Sequence, residues 1–137
     1  MSIHFNYNNE EYIFDASFVD KRLDRINFLS HEIPFAQLLN GFLWDYANIS
    51  YIKEEVLDLV QDVLNGKSDN EVAGAEFISI YITPKITIFY TFGNLDEKTL
   101  LATYTEENSI ETSLFAALLQ ALLKELENNE LTKNMSK

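Results

Sequence analysis

Residues 76–92 read Glu-Phe-Ile-Ser-Ile-Tyr-Ile-Thr-Pro-Lys-Ile-Thr-Ile-Phe-Tyr-Thr-Phe, two runs of β-branched and aromatic residues broken by Thr83, Pro84 and Lys85. Side chains of this kind fit a pleated, half-buried surface, and a break containing Pro between two such runs marks a hairpin. The rest of the chain has to be built around it. Two registers compete, because a slip of one residue exchanges the faces of a strand. A three-residue loop pairs Ile82 with Ile86, Ile80 with Ile88 and Ile78 with Tyr90, which makes one face wholly apolar. The other face then gathers Phe77, Ser79 and Tyr81 with Thr87, Phe89 and Thr91. A two-residue loop sets Ile82 opposite Thr87 and mixes the two sets, so packing predicts the three-residue form even without the Gly usual at its last position.

On the amino-terminal side, residues 3–7 and 11–14 read as a second pair of short strands turned by Asn8-Asn9, since Asn tolerates left-handed backbone. Val19, Leu23 and Ile26 share a helical face behind Ser17, predicting a helix over residues 18–26. Pro34 suits the first position of a helix whose apolar residues Phe35, Leu38, Leu39, Phe42, Leu43 and Tyr46 line one side. A further amphipathic helix spans residues 51–65, with Ile52, Val56, Leu59, Val60 and Val63 inward, Asn48 or Ser50 as cap and Gly66 as terminator. Residues 67–74 are polar and read as a loop.

Beyond the central hairpin, Gly93-Asn94 marks a turn, and residues 99–105 alternate in the manner of a third strand of the same meander. Asn108 and Glu111 have the spacing of a capping box ahead of a long helix ending near Glu127. Its apolar set is broad, and only Ser113, Gln120, Lys124 and Glu127 form a polar strip. Such a helix belongs across the apolar face of the sheet. Residues 128–137 are polar and expected to fray. The expectation is one α+β domain over residues 1–137: an antiparallel sheet, made of an amino-terminal hairpin and a central three-strand meander, packed against amphipathic helices.

At 137 residues and 47% apolar, the chain has material for one core. With no Cys, it has no disulfide framework, thiolate nucleophile or Cys-ligated metal centre. His4 and His31 are the only histidines and neither has a second ligand at helical or strand spacing, so no metal is expected. The four glycines are scattered, which removes the phosphate-binding loops. Asp69, Asn70 and Glu71, and the run 94–97, are oxygen-rich but lack the twelve-residue calcium pattern. The Gly-x-Ser-x-Gly elbow is missing, and carboxylate pairs such as Glu54 with Asp58 or Glu106 with Glu107 read as solvated charge. No nucleophile–base constellation emerges, so the reading is non-enzymatic and without cofactor.

Charge is the remaining signal. Against 22 Asp and Glu stand 10 Lys and Arg, a formal net charge of −12 that repels nucleic-acid backbones and anionic membranes and favours a basic protein partner. The amino terminus lacks the basic start and apolar run of a signal peptide, so the expected location is cytoplasmic. Glu54, Asp58 and Asp62 recur every four residues with Glu55 beside them, although like charges so spaced oppose each other by about 0.2–0.5 kcal/mol per pair. The partner surface expected from sequence is this stripe, continued by Asp69 and Glu71, around an aromatic centre of Phe77, Tyr81 and Phe89. Small size, acidity and lack of a reactive constellation resemble, at the level of class, the acidic immunity proteins of bacterial toxin systems. By that resemblance the partner is a cationic toxin or nuclease domain whose basic groove is covered; no residue role is transferred. A dimeric secretion-type chaperone is the alternative from another class, although its helix-first order differs from the strands that open this chain. A nucleic-acid-mimic inhibitor is the third reading and uses the same charge logic.

Overall fold

Asn8 and Asn9 set the first turn, with φ of 50° and 65°. Two left-handed residues in succession are what the tightest hairpin loop requires. A computed structural model describes residues 2–19, 22–30, 39, 40, 42, 52–74, 78–91 and 96–135. In it the turn joins β1 (Ser2–Tyr7) to β2 (Glu10–Val19), with Tyr7 opposite Glu10 and Ile3 opposite Phe14. This is the expected amino-terminal hairpin. Its second strand continues further than expected and pairs antiparallel with β3 (Arg22–Phe28), giving a sheet of order β1-β2-β3.

The helix expected over residues 18–26 is therefore a strand pair. Ser17 faces Arg25 whereas Phe18 faces Leu23, so one extra residue of β3 bulges at that point. The period of two that buries Phe14 and Ala16, with Ile26 opposite Ala16, continues into a segment whose apolar spacing also fits a helix. A neighbouring strand with unpaired backbone decides between them, because an isolated helix this short is marginal in water. At Ile26 the outer edge of β3 is paired by a side chain: Asn40 Oδ1 accepts from Ile26 N at 2.7 Å and Asn40 Nδ2 donates to Ile26 O at 2.9 Å. Leu39, Asn40 and Phe42 are helical, with Leu39 and Phe42 fully buried. The remainder of the helix expected from Pro34 to Tyr46 lies outside the described residues.

The next helix forms where it was expected, with Leu59 half buried rather than inward; Tyr51 and the expected caps, Asn48 or Ser50, lie outside the described residues. It begins as a π-helical turn over Ile52–Leu57 and continues as α1 (Asp58–Leu64), burying Ile52, Val56, Leu57, Val60 and Val63. Lys67 N donates to Asp62 O at 2.8 Å and Gly66 adopts φ +80°, the left-handed close for which Gly is favoured. Within the stretch read as a polar loop, Glu71–Gly74 forms an edge strand, β4.

Strand β4 starts an antiparallel sheet of order β4-β5-β6-β7, with β5 (Ile78–Ile82), β6 (Ile86–Thr91) and β7 (Ser109–Glu111). The central hairpin exists as expected, but in the other register: Ile82 faces Thr87, Ile80 faces Phe89 and Ile78 faces Thr91. Two features overturn the three-residue loop. Thr83 closes a two-residue loop by accepting from Ile86 N at 3.0 Å and donating to Ile86 O at 2.6 Å through its hydroxyl. Both faces are also covered, so sorting apolar from polar faces carries no preference. On one side Tyr81, Ile88 and Leu100 form a small second core with Ile86 and Tyr90, and on the other Ile78, Ile80, Ile82 and Phe89 join the main core.

Leu100 belongs to α2 (Glu97–Thr103), where a third meander strand was expected. Asp96 is the reason: its Oδ1 accepts from Thr99 N at 2.7 Å and caps a helix that the alternation of residues 99–105 conceals. The third partner in the sheet is instead β7, three residues immediately before α3 (Thr112–Met135). Asn108 does not cap α3; its side chain accepts from Thr105 N at 2.7 Å. Helix α3 runs past the end expected near Glu127 and buries Phe115, Ala116, Leu118, Leu119, Leu122 and Leu123, leaving Ser113, Gln120, Lys124 and Glu127 exposed. It packs against β1, β6, β7 and α1, so the main core is shared by both sheets. The fold is α+β, with two antiparallel sheets and the carboxy-terminal helix packed on them. Among the described residues, no helix is long and apolar enough to cross a membrane.

Candidate functional site

The acidic residues singled out in the sequence fall into two groups. Glu54, Glu55 and Asp58 are exposed along the outer side of the π turn and α1, with Lys53 exposed beside them. Asp62 is half buried, so the expected straight line of charge drifts inward as the helix passes from π to α winding. Asp69 is exposed beyond the helix, whereas Glu71 is half buried at the start of β4 and accepts from Ser68 Oγ at 2.8 Å.

The aromatic centre expected beside this stripe is not a surface. Tyr81 is 3% exposed and Phe89 1%. The observed register also places them on opposite faces of the sheet, Tyr81 under α2 and Phe89 between Phe42 and Phe115, with ring centroids at 6.1 Å and 5.8 Å. Phe77 lies outside the described residues. Among the described residues, aromatic rings reach a concave surface elsewhere.

One face of the first hairpin runs from core to solvent: Ile3 and Phe14 are buried, Phe5 is half buried, and Tyr7 and Tyr12 stand at the tip. Phe5 stacks on Tyr12 at 5.2 Å, and Tyr12 meets Tyr7 edge-on at 6.5 Å and 69°. Opposite them are the first turn of α3, strand β7 and the turn before it. Together they enclose an open cleft of about 440 Å³ lined by Tyr7, Asn8, Glu10, Tyr12, Ile86, Glu106, Ser109, Ile110, Glu111 and Leu114. Ile86, Ile110 and Leu114 supply its apolar part. Among the described residues, three carboxylates and no Lys or Arg belong to that lining.

The polar groups are held in place. Tyr7 Oη donates to Glu111 Oε2 at 2.7 Å, so its single proton is committed and Ser113 Oγ, 2.5 Å away, donates to Tyr7. Burial raises the Tyr7 phenol above its ordinary pKa, and the Glu111 carboxylate adds to the effect, while the Ser113 hydrogen bond opposes it. Tyr12 is also raised, by burial first and then by the charges of Glu10 and Glu111. Both rings therefore stay neutral hydrogen-bond donors over the physiological range. Ser109, at the back, donates to Thr105 O at 2.6 Å and fixes the turn that carries Glu106.

The cleft is invisible in the sequence because Tyr7 and Glu111 are 104 residues apart. The available signal was local: aromatic residues at alternate positions of an amino-terminal hairpin, more than a half-exposed strand pair needs. Among the described residues, no group of three or more His, Asp and Glu side chains is arranged to hold a metal ion. His4 is exposed and lies 3.2 Å from Glu11. Fold and cleft define a class: an acidic α+β protein of two sheets with carboxylate-rimmed aromatic surface. Comparison with protein-family models, with curated proteins and with solved structures finds no match.

Proposed function

We propose that the protein is a non-enzymatic acidic binding protein that neutralises a basic protein partner, in the manner of an immunity protein covering the cationic groove of a bacterial nuclease toxin. The observation that carries this reading is the exposed acidic side of α1 and the turn before it. Glu54, Glu55 and Asp58 stand together there against a single base, Lys53. Glu54, Glu55 and Asp58 gain from the helix dipole at the amino-terminal turns, but as a row of like charges they oppose one another by a few tenths of a kcal/mol per pair where alternating signs would stabilise. A partner carrying the opposite charge reverses that sign. Carboxylates standing where phosphates lie also attract a nucleic-acid-binding groove from a distance and accelerate encounter.

The test is co-purification from the native host, followed by reversal of Glu54, Asp58 and Asp62 to Lys. The expected result is a loss of partner affinity, chiefly through slower association, and a flatter dependence on salt. Unchanged affinity together with unchanged salt dependence would remove the acidic helix from the binding surface.

A further inference from the structure

We propose that the cleft between the β1–β2 tip and the β7–α3 junction receives an arginine side chain of a basic polypeptide. This deepens the reading above and rests on it, but on different residues. Carboxylates by themselves attract any cation; the shape and walls of this cleft select one kind. Its volume of about 440 Å³ falls within the roughly 300–1,000 Å³ of pockets that take small ligands. Ile86, Ile110 and Leu114 provide contact for an alkyl stem, which a charged side chain buries while its head reaches polar groups. Tyr7 and Tyr12, inclined at 69°, both line the cleft, and although Phe5 covers one face of Tyr12 the pair puts ring surface into the wall for a flat cation.

The distinction between arginine and lysine follows from the same geometry. A guanidinium is planar, stacks on aromatic faces and directs several donors in one plane at separate acceptors, whereas an ammonium is a compact, strongly hydrated charge. Glu111 keeps one oxygen engaged by the Tyr7 hydroxyl, which orients the carboxylate in advance and leaves its other oxygen to accept. Glu106, exposed on the turn at the rim, supplies the second charged acceptor.

The experiment titrates the intact protein with the tripeptide Gly-Arg-Gly, blocked at both ends, and with the same peptide carrying citrulline, a neutral analogue of nearly the same shape. Methyl resonances of Ile86, Ile110 and Leu114 and ring resonances of Tyr7 and Tyr12 are followed by NMR. The expected result is saturable shifts at these residues for the arginine peptide and at least tenfold weaker binding for citrulline. Glu106→Gln and Glu111→Gln each weaken the arginine peptide on the order of tenfold, the loss of one charge-assisted hydrogen bond. Glu127→Gln removes the same charge from α3 about 21 Å from Ser113 and leaves binding unchanged. Equal shifts from both peptides, or arginine-peptide shifts that miss the cleft, overturn the proposal. The two readings fail separately: an empty cleft beside a partner lost on reversal of Glu54, Asp58 and Asp62 refutes only the arginine site. Peptide binding in the cleft with partner affinity untouched by that reversal refutes only the acidic helix.

Discussion

At the scale of single residues, Thr112 is one of the polar groups buried among the described residues. It is fully buried, as is Thr87, and its hydroxyl donates to Thr83 O at 2.6 Å. A hydroxyl has one proton, so the 2.8 Å contact with Thr87 Oγ1 is donated by Thr87. Thr112 N also donates to Lys85 O at 3.2 Å, and the start of α3 is thereby tied to the central hairpin loop. Thr112→Val keeps the shape but strands both the Thr83 carbonyl and the Thr87 hydroxyl, and is expected to cost about 1–3 kcal/mol. Thr87→Val leaves Thr112 still donating to Thr83 and is expected to cost less. Because the stranded Thr87 hydroxyl is absent from the double variant, its loss of stability falls short of the sum of the two. Urea denaturation of the four proteins measures this, and strict additivity would show that the two hydroxyls act independently.

At the scale of elements, what was legible depended on whether a segment has one buried face or two. The helix through Val56, Val60 and Val63 and the long helix through Phe115, Leu119 and Leu122 each show their core side in the spacing of apolar residues, and both exist. So does the Asn8-Asn9 hairpin, whose turn residues state the backbone they need. The central hairpin's register was not legible because α2 covers the side bearing Tyr81 and Ile88 while Phe42 and Phe115 cover the side bearing Phe89. Short segments failed for a related reason: Val19, Leu23 and Ile26, or Leu100, Ala102 and Tyr104, satisfy either period over so few residues. For α2 the decisive signal was Asp96 followed by Glu97, a cap and a first-turn acid. The Thr99 backbone N–H on its carboxylate holds the Asp96 pKa below its ordinary value. A depressed carboxylate stabilises above the unfolded pKa of about 3.9, and that contribution is lost as pH falls through the lower folded value. The Thr99 amide is therefore expected to lose protection from hydrogen exchange in acid before the amides of α3 do. Asp96→Asn retains the capping oxygen without the charge and flattens that dependence; an unaltered acid profile would assign it to other carboxylates.

For the molecule as a whole, the central question is how two separate sheets behave as one body. The buried answer is α3, whose Phe115, Leu118, Leu119 and Leu122 belong to a core that also takes Ile3, Phe14, Ile80 and Phe89 from the two sheets. At the surface, Tyr7 on β1 adds a second tie by bonding Glu111 on β7 and Ser113 on α3. Burial raises the Tyr7 pKa, so folding holds its proton more tightly than the unfolded chain does. The stability this contributes is complete below the ordinary phenol value of about 10 and is lost as pH rises through the higher folded value. Ionisation also sets a phenolate against Glu111, which turns a hydrogen bond into repulsion between the sheets. Seven tyrosines ionise in alkali, so the bridge is isolated by comparison with Tyr7→Phe, which keeps the ring and removes the hydroxyl. At neutral pH that variant is expected to be less stable by about 1 kcal/mol, and the gap to the wild type closes above pH ~10. Two denaturation midpoints that stay a constant distance apart across that range would show that the Tyr7 hydroxyl does not join the sheets.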